Sequence, residues 1–272
     1  MSLVFCDNKI YLNKKLITSN VDNRLILCNE IKNIRGVVPR ITRLDLSYNY
    51  VSDLTELDVG VELEYFIVRA NSVQNIEDFN VGNLKKLDIS ENKIRSIINL
   101  DIKNLQKLNI SRNVLMDING FNCKQLNSLN LRDNRISDIS GFYPKMLNTL
   151  DLQSNRINDI SNFALCDNLE YLDLSFNEIS EVNDFNTRNL LSLNLSYNII
   201  KNIDKFDTGI IRSLDLQHNN IRDVTHFVLN DALHFIDLSE NLMYDINNLR
   251  DVIECQKEHQ RYLDNKVKSA RK

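Results

Sequence analysis

A solenoid of short parallel strands is the fold class this sequence predicts, and three observations predict it. The first is a fixed internal period. The pattern L-x-x-L-x-L-x-x-N-x-I-x-x-I-x-x-F recurs with its asparagine at Asn49, Asn71, Asn92, Asn113, Asn134, Asn155, Asn177, Asn198, Asn219 and Asn241, always 21 or 22 residues apart. Units this short cannot bury an apolar face alone and must stack on their neighbours. The second is alternation: in ITRLDLSYN and LNTLDLQSN the leucines at the fourth and sixth places (Leu44 and Leu46, Leu150 and Leu152) point one way and the residue between them the other. The third is composition. With 43% hydrophobic residues but only two prolines and six glycines in 272, the chain can pack a core and carries no linker along which to divide it. The expected architecture is an α/β-type solenoid forming one domain over 1–272. Its parallel sheet is expected on a concave face, with 3-10 and irregular segments on the convex side.

Each element follows from its residues. In 1–40, VFCDNKIYL places an Asp7-Asn8 turn between two apolar runs, which predicts a hairpin cap, and RLILCNEIKNI reads as a partial repeat. Ten repeats fill 41–250. In each, the asparagine turns the chain out of the strand, and its amide offers two donors and an acceptor to backbone groups of adjacent turns. The next apolar residues, such as Ile136 and Ile139 or Ile157 and Ile160, return the chain to the core. A phenylalanine closes the unit at Phe79, Phe121, Phe142, Phe163, Phe185, Phe206 and Phe227, with leucine instead at Leu57, Leu100 and Leu249. This aromatic spine reads as core filler. Asp117, Asp138, Asp159 and Asp223 read as turn caps. Over 246–272, Leu249, Val252 and Ile253 at helical spacing predict a capping helix that runs into a basic tail.

The repeat pattern resembles that of the leucine-rich-repeat superfamily in its short-repeat class, which implies a curved horseshoe with its binding surface on the concave sheet. Within that superfamily the chain is similar to the intracellular branch that includes a regulator of protein phosphatase 1. The resemblance implies a protein partner, phosphatase-like or another globular domain, held by aromatic and acidic inner-face residues. Internalin repeats, and a spliceosomal leucine-rich protein that docks an RNA-recognition domain, are further resemblances.

Catalytic equipment is not legible. There is no G-x-x-x-x-G-K-[ST], G-x-S-x-G or H-E-x-x-H motif, so no catalytic residue, metal site or cofactor is expected. His218, His226 and His234 are eight apart but occupy different slots of the repeat and need not converge. Five scattered cysteines (Cys6, Cys28, Cys123, Cys166 and Cys255), without C-x-x-C spacing, point to free thiols in a reducing compartment. No segment has the apolar length of a signal or a membrane helix, so a cytoplasmic or nuclear location off the membrane is expected. The sequons at Asn109 and Asn194 fall inside predicted strands. No obligate oligomer is expected.

The residues that can carry function are those of the strands that turn away from the core. Between the paired leucines stands a row of Asp45, Ile67, Asp88, Asn109, Asn130, Asp151, Asp173, Asn194, Asp215 and Asp237, which either solvates the sheet or contributes to a site. In the carboxy-terminal half, Tyr171, Phe176, Tyr197, His218 and Phe235 accompany Asp173, Asp215, Asp237 and Glu240. Aromatic side chains with no core to serve are what interface centres favour, so these nine residues form the predicted partner-binding surface. An alternative is a basic patch of Lys85, Lys86, Lys107 and Arg112, which with the basic tail would suit nucleic acid. The acidic row running through the same face makes nucleic acid the lesser expectation, as does a mild net charge of -4.

Overall fold

In the computed structural model of the chain, residues 2–243 are described apart from 7–8, 13–14, 19–23, 28–29, 39, 77–78, 80–81, 99, 101–103, 120, 122–124, 143–144, 162, 164–166, 183–184, 186–187, 228–229 and 231. The chain forms two compact units, 1–147 and 148–272. The predicted Asp7-Asn8 turn, the 246–272 helix and tail, and Cys28, Cys123, Cys166 and Cys255 lie outside the described residues.

In the first unit, β1 (Ser2–Cys6), β2 (Lys9–Leu12) and β3 (Lys15–Thr18) are antiparallel neighbours. β1 also pairs in parallel with β5 (Asn33–Val37), and β5 with β7 (Leu57–Asp58). A second sheet is wholly parallel and takes one strand per repeat: β4 (Arg24–Ile26), β6 (Arg43–Asp45), β8 (Tyr65–Ile67), β9 (Lys86–Asp88), β10 (Lys107–Asn109) and β11 (Ser128–Asn130). The second unit continues the pattern with β12 (Thr149–Asp151), β13 (Tyr171–Asp173), β14 (Ser192–Asn194), β15 (Ser213–Asp215) and β16 (Phe235–Asp237).

Equivalent slots stand directly opposite one another, so the sequence period becomes the sheet register. Leu44, Phe66, Leu87, Leu108 and Leu129 form one buried column, and Leu150, Leu172, Leu193, Leu214 and Ile236 another. Beneath the strands, Phe163 lies 6.2 Å from Phe185, Phe185 lies 6.0 Å from Phe206, and Phe206 lies 6.4 Å from Phe227, centroid to centroid. The first three of these rings are buried, which gives the spine its core role. The chain reaches the spine through a tight turn, not an α-helix. Phe163, Phe185 and Phe206 each donate N–H to the carbonyl three residues earlier (3.2, 3.2 and 3.0 Å), and no α-helix occurs among the described residues.

The asparagines tie one turn to the next. Asn198 Nδ2 donates to the carbonyls of Leu195 (3.0 Å) and Ser196 (3.2 Å) in its own turn and of Leu174 (3.0 Å) in the turn before. Its Oδ1 accepts the N–H of Ile179 at 3.0 Å. Asn49, Asn71, Asn92, Asn113, Asn177, Asn219 and Asn241 make the same four contacts. Most of these amides are buried, so each group they satisfy would otherwise carry a desolvation cost. Asparagine is the side chain that can do this, since it alone among short residues presents both donors and an acceptor. Three of the predicted turn caps are also in place: Asp138, Asp159 and Asp223 accept the N–H two residues on at 2.8, 2.9 and 2.9 Å.

Candidate functional site

Strand residues alternate between core and open face, so the open face of the second unit is built in rows. Tyr171 and Phe235 belong to a first row, Thr149–Tyr171–Ser192–Ser213–Phe235, in which two small serines separate the aromatic ends. At about 4.8 Å per strand, the backbones of Tyr171 and Phe235 are about 14 Å apart. Asp173, Asp215 and Asp237 belong to a second row with Asp151 and Asn194.

The second row is both structural and acidic. The Oδ1 atoms of Asp173, Asn194, Asp215 and Asp237 accept the N–H two residues on at 2.9–3.0 Å, which ends each strand. One oxygen per carboxylate is therefore committed to the fold, and the second is left for neighbours. Asp173 Oδ2 accepts from Asn194 Nδ2 (3.4 Å) and Asp215 Oδ2 from Gln217 Nε2 (3.1 Å). Burial pushes the Asp215 carboxyl above the ordinary aspartate value. The hydrogen bonds from Gln217 oppose that, and the charges of Asp237 and Asp173 reinforce it.

A third row comprises Ser154, Phe176, Tyr197, His218 and Glu240, the residues immediately before the ladder asparagines. All five have left-handed backbones, with φ of 57, 56, 56, 52 and 54°. Each such non-glycine residue costs roughly 1 kcal/mol. The conformation swings the following asparagine amide inward, and the N–H groups of Phe176, Tyr197 and His218 still reach the next turn's carbonyl at 3.0 Å. The side chains are thereby thrown onto the open face. Phe176 and Tyr197 stack with centroids 4.1 Å apart, and Tyr197 and His218 stack at 4.2 Å. This three-ring ladder is substantially exposed at its aromatic members, 45% for Phe176 and 38% for Tyr197, while Tyr171 is 48% exposed. The structure thus brings the predicted residues together on one face in three rows. Asn194 and Gln217, which hold the carboxylates, are not among the nine predicted residues; both lie at regular offsets from the ladder asparagines.

The predicted cations of the first unit are less uniform. Lys86 and Lys107 are direct neighbours on β9 and β10, and the Lys86 ammonium lies 5.1 Å from the Tyr65 ring centre. Lys85 pairs with Glu64 at 2.5 Å. Arg112 stands instead in the left-handed row, paired with Glu91 at 2.9 Å and Asp133 at 3.3 Å. Arg69 clasps the same Glu91 at 2.8 Å, and this hydrogen bond holds the Glu91 carboxyl below its ordinary range. Two of the four cations therefore already have carboxylate partners.

His218, His226 and His234 do not assemble: among the described residues no group of three histidine, cysteine or acidic side chains could hold a metal ion. No helix among the described residues is long and apolar enough to cross a membrane.

Models of leucine-rich repeats match residues 83–105, 124–179 and 211–224, and a two-copy model matches 103–144. No curated protein matches the chain significantly. Among solved structures, an internalin (inlF) from Listeria monocytogenes is similar at 19% identity and a TM-score of 0.59, covering 84% of this chain and 84% of its own. The leucine-rich-repeat domain of APL1B is similar at 21% identity and a TM-score of 0.62, with 82% and 80% covered. A TLR13–ssRNA13 complex is similar at 23% identity and a TM-score of 0.59, over 78% of this chain but only 34% of that one. At such identities the likeness is one of fold. Together with the asparagine ladder and the matched repeats, it makes this chain a leucine-rich-repeat protein.

Proposed function

We propose that the chain is a non-catalytic binding scaffold that holds a globular protein partner on the open face of residues 148–243. The observation that carries this reading is the exposed stack of Phe176, Tyr197 and His218, each set on a left-handed backbone. Flat aromatic surface of this kind is already ordered, so covering it costs little side-chain entropy. Tyr171 and Phe235 extend the apolar contact. Asp173, Asp215, Asp237 and Glu240 suit a partner that inserts lysine or arginine between its apolar groups, where a cation can meet ring faces and carboxylates together.

The resemblance to the phosphatase-regulator branch supports a phosphatase-like or another globular domain as the partner, acting inside the cell. Nucleic acid on Lys85, Lys86, Lys107, Arg112 and the basic tail ranks second, because Lys85 and Arg112 are already paired with acids. The test is affinity capture with the wild type beside a Tyr197→Ala/Phe235→Ala variant, eluted with rising salt. A protein retained by the wild type and absent from a folded variant supports this reading. Undiminished capture by the variant, or recovery chiefly of salt-released nucleic acid, rejects it.

A further inference from the structure

We infer that a lateral groove of the 1–147 unit, lined by Gln74, Lys93, Arg95, Val114, Met116 and Arg135, docks an acidic peptide segment bearing aliphatic side chains. The groove arises where the chain leaves the asparagine ladder. Lys93, Val114 and Arg135 follow Asn92, Asn113 and Asn134, and their N–H groups donate to Val73, Ile94 and Leu115 of the preceding turn at 2.8, 3.1 and 2.8 Å. These three residues therefore occupy successive rungs, with Val114 in the middle. Gln74, Arg95 and Met116 stand two positions further along their turns, past the buried Val73, Ile94 and Leu115. The result is a groove of about 310 Å³ lined by the apolar Val114 and Met116 together with three cations.

Two features of this groove, present together, bear on what it can hold. First, its charge is uncompensated. On the open face, Arg69, Lys85, Arg112 and Arg132 each pair with a carboxylate, whereas Lys86 and Lys107 do not among the described residues. Lys93, Arg95 and Arg135 form no ion pair among the described residues, and no carboxylate lines the groove. Second, the cations surround exposed aliphatic surface, since Met116 is 64% exposed. An unbranched thioether can adapt to an apolar ligand.

Both features select the occupant. Three unpaired cations call for an anion, and the apolar Val114 and Met116 call for an aliphatic group beside it. A phosphodiester chain offers no such group, and its bases need aromatic platforms, which the groove lacks. An acidic peptide offers both. Lys93 and Arg135 are two rungs apart, about 10 Å, a span that about three extended residues cover. The occupant therefore carries two acids three positions apart with an aliphatic residue between them.

The test is fluorescence anisotropy of a fluorescein-labelled peptide repeating Glu-Leu-Glu, titrated with the full chain. Matched probes repeat Glu-Ser-Glu and Lys-Leu-Lys, and a fourth is a single-stranded RNA oligonucleotide. The Glu-Leu-Glu peptide is expected to bind tightest. Arg95→Glu/Arg135→Glu is expected to weaken it about tenfold or more, and the milder Arg95→Gln/Arg135→Gln to weaken it measurably with an unchanged circular dichroism spectrum. Tyr197→Ala/Phe235→Ala is expected to leave it unchanged, which separates this site from the aromatic face. Equal binding of Glu-Ser-Glu or RNA would reduce the groove to an unspecific cationic patch and overturn the proposal, as would indifference to both arginine variants.

Discussion

Phe176 and Tyr197 lie face to face across neighbouring turns, ring centroids 4.1 Å apart and planes 8° from parallel, each on a backbone with φ of 56°. The stack is a by-product of the ladder. The left-handed residue is needed to aim Asn177 and Asn198 inward, and a side chain at that slot has nowhere to go but the open face. What the slot carries is therefore open to selection for binding, at little expense to the fold.

That independence predicts opposite responses at adjacent positions. Tyr197→Gly relieves the left-handed backbone and is expected to be about 1 kcal/mol more stable in chemical denaturation than Tyr197→Ala. Both are expected to lose partner capture. A glycine variant less stable than the alanine one would mean that stacking, not backbone conformation, dominates this slot.

Asn198→Ala strands the N–H of Ile179 and the carbonyls of Leu174, Leu195 and Ser196. The expected loss is roughly 1–3 kcal/mol in equilibrium unfolding. Asn198→Asp is expected to be no better, because a carboxylate has no donor for three carbonyls. Rescue by aspartate would show that shape alone matters at this position.

Asp215 predicts a pH response of definite sign. Its folded-state value is raised by burial, so the folded protein holds this proton more tightly than the unfolded chain. Ionised at neutral pH, the group opposes folding, and the penalty is relieved as pH falls through the raised value. Asp215→Asn is expected to melt higher at pH 7, by roughly 1–3 °C, with the advantage shrinking on acidification. Asn194 fills the equivalent slot and keeps the same strand-ending bond, so asparagine fits. A lower melting temperature for Asp215→Asn than for the wild type at pH 7 would contradict this account.

Glu91 gives the reverse sign. Its carboxyl is held below the ordinary range by the Arg69 hydrogen bond, so its contribution is present at neutral pH and lost as pH falls through the lowered value. The pairs are partly exposed at the surface, so Glu91→Gln is expected to cost less than about 1 kcal/mol, and the difference should narrow in high salt. A larger, salt-insensitive loss would mean the clasp is structural.

How much of this was legible in the sequence depended on whether the cause was periodic. The strand columns, the asparagine ladder and the phenylalanine spine recur every 21 or 22 residues in recognisable residue types, so Leu193, Asn198 and Phe206 could be placed in advance. The left-handed row could not. Tyr48, Ala70, Glu91, Arg112, Phe176 and His218 share no local signature of positive φ, because the ladder imposes it from the next residue. The pairing of Lys85 with Glu64 and of Arg112 with Glu91 and Asp133 was hidden for a related reason: the partners are 21 residues away and meet only once the turns stack. The aspartate row was visible, but its double duty, ending strands with one oxygen while presenting the other, needed coordinates.

The most direct test of the open face of residues 148–243 as the partner's seat is site-specific photocrosslinking, with p-benzoylphenylalanine replacing Phe176 in one protein and Lys107 in another. A protein adduct formed from position 176, absent from position 107 and lost on adding Tyr197→Ala/Phe235→Ala, is the predicted result. An adduct from position 107 with none from 176 would contradict it and place the partner on the 1–147 unit.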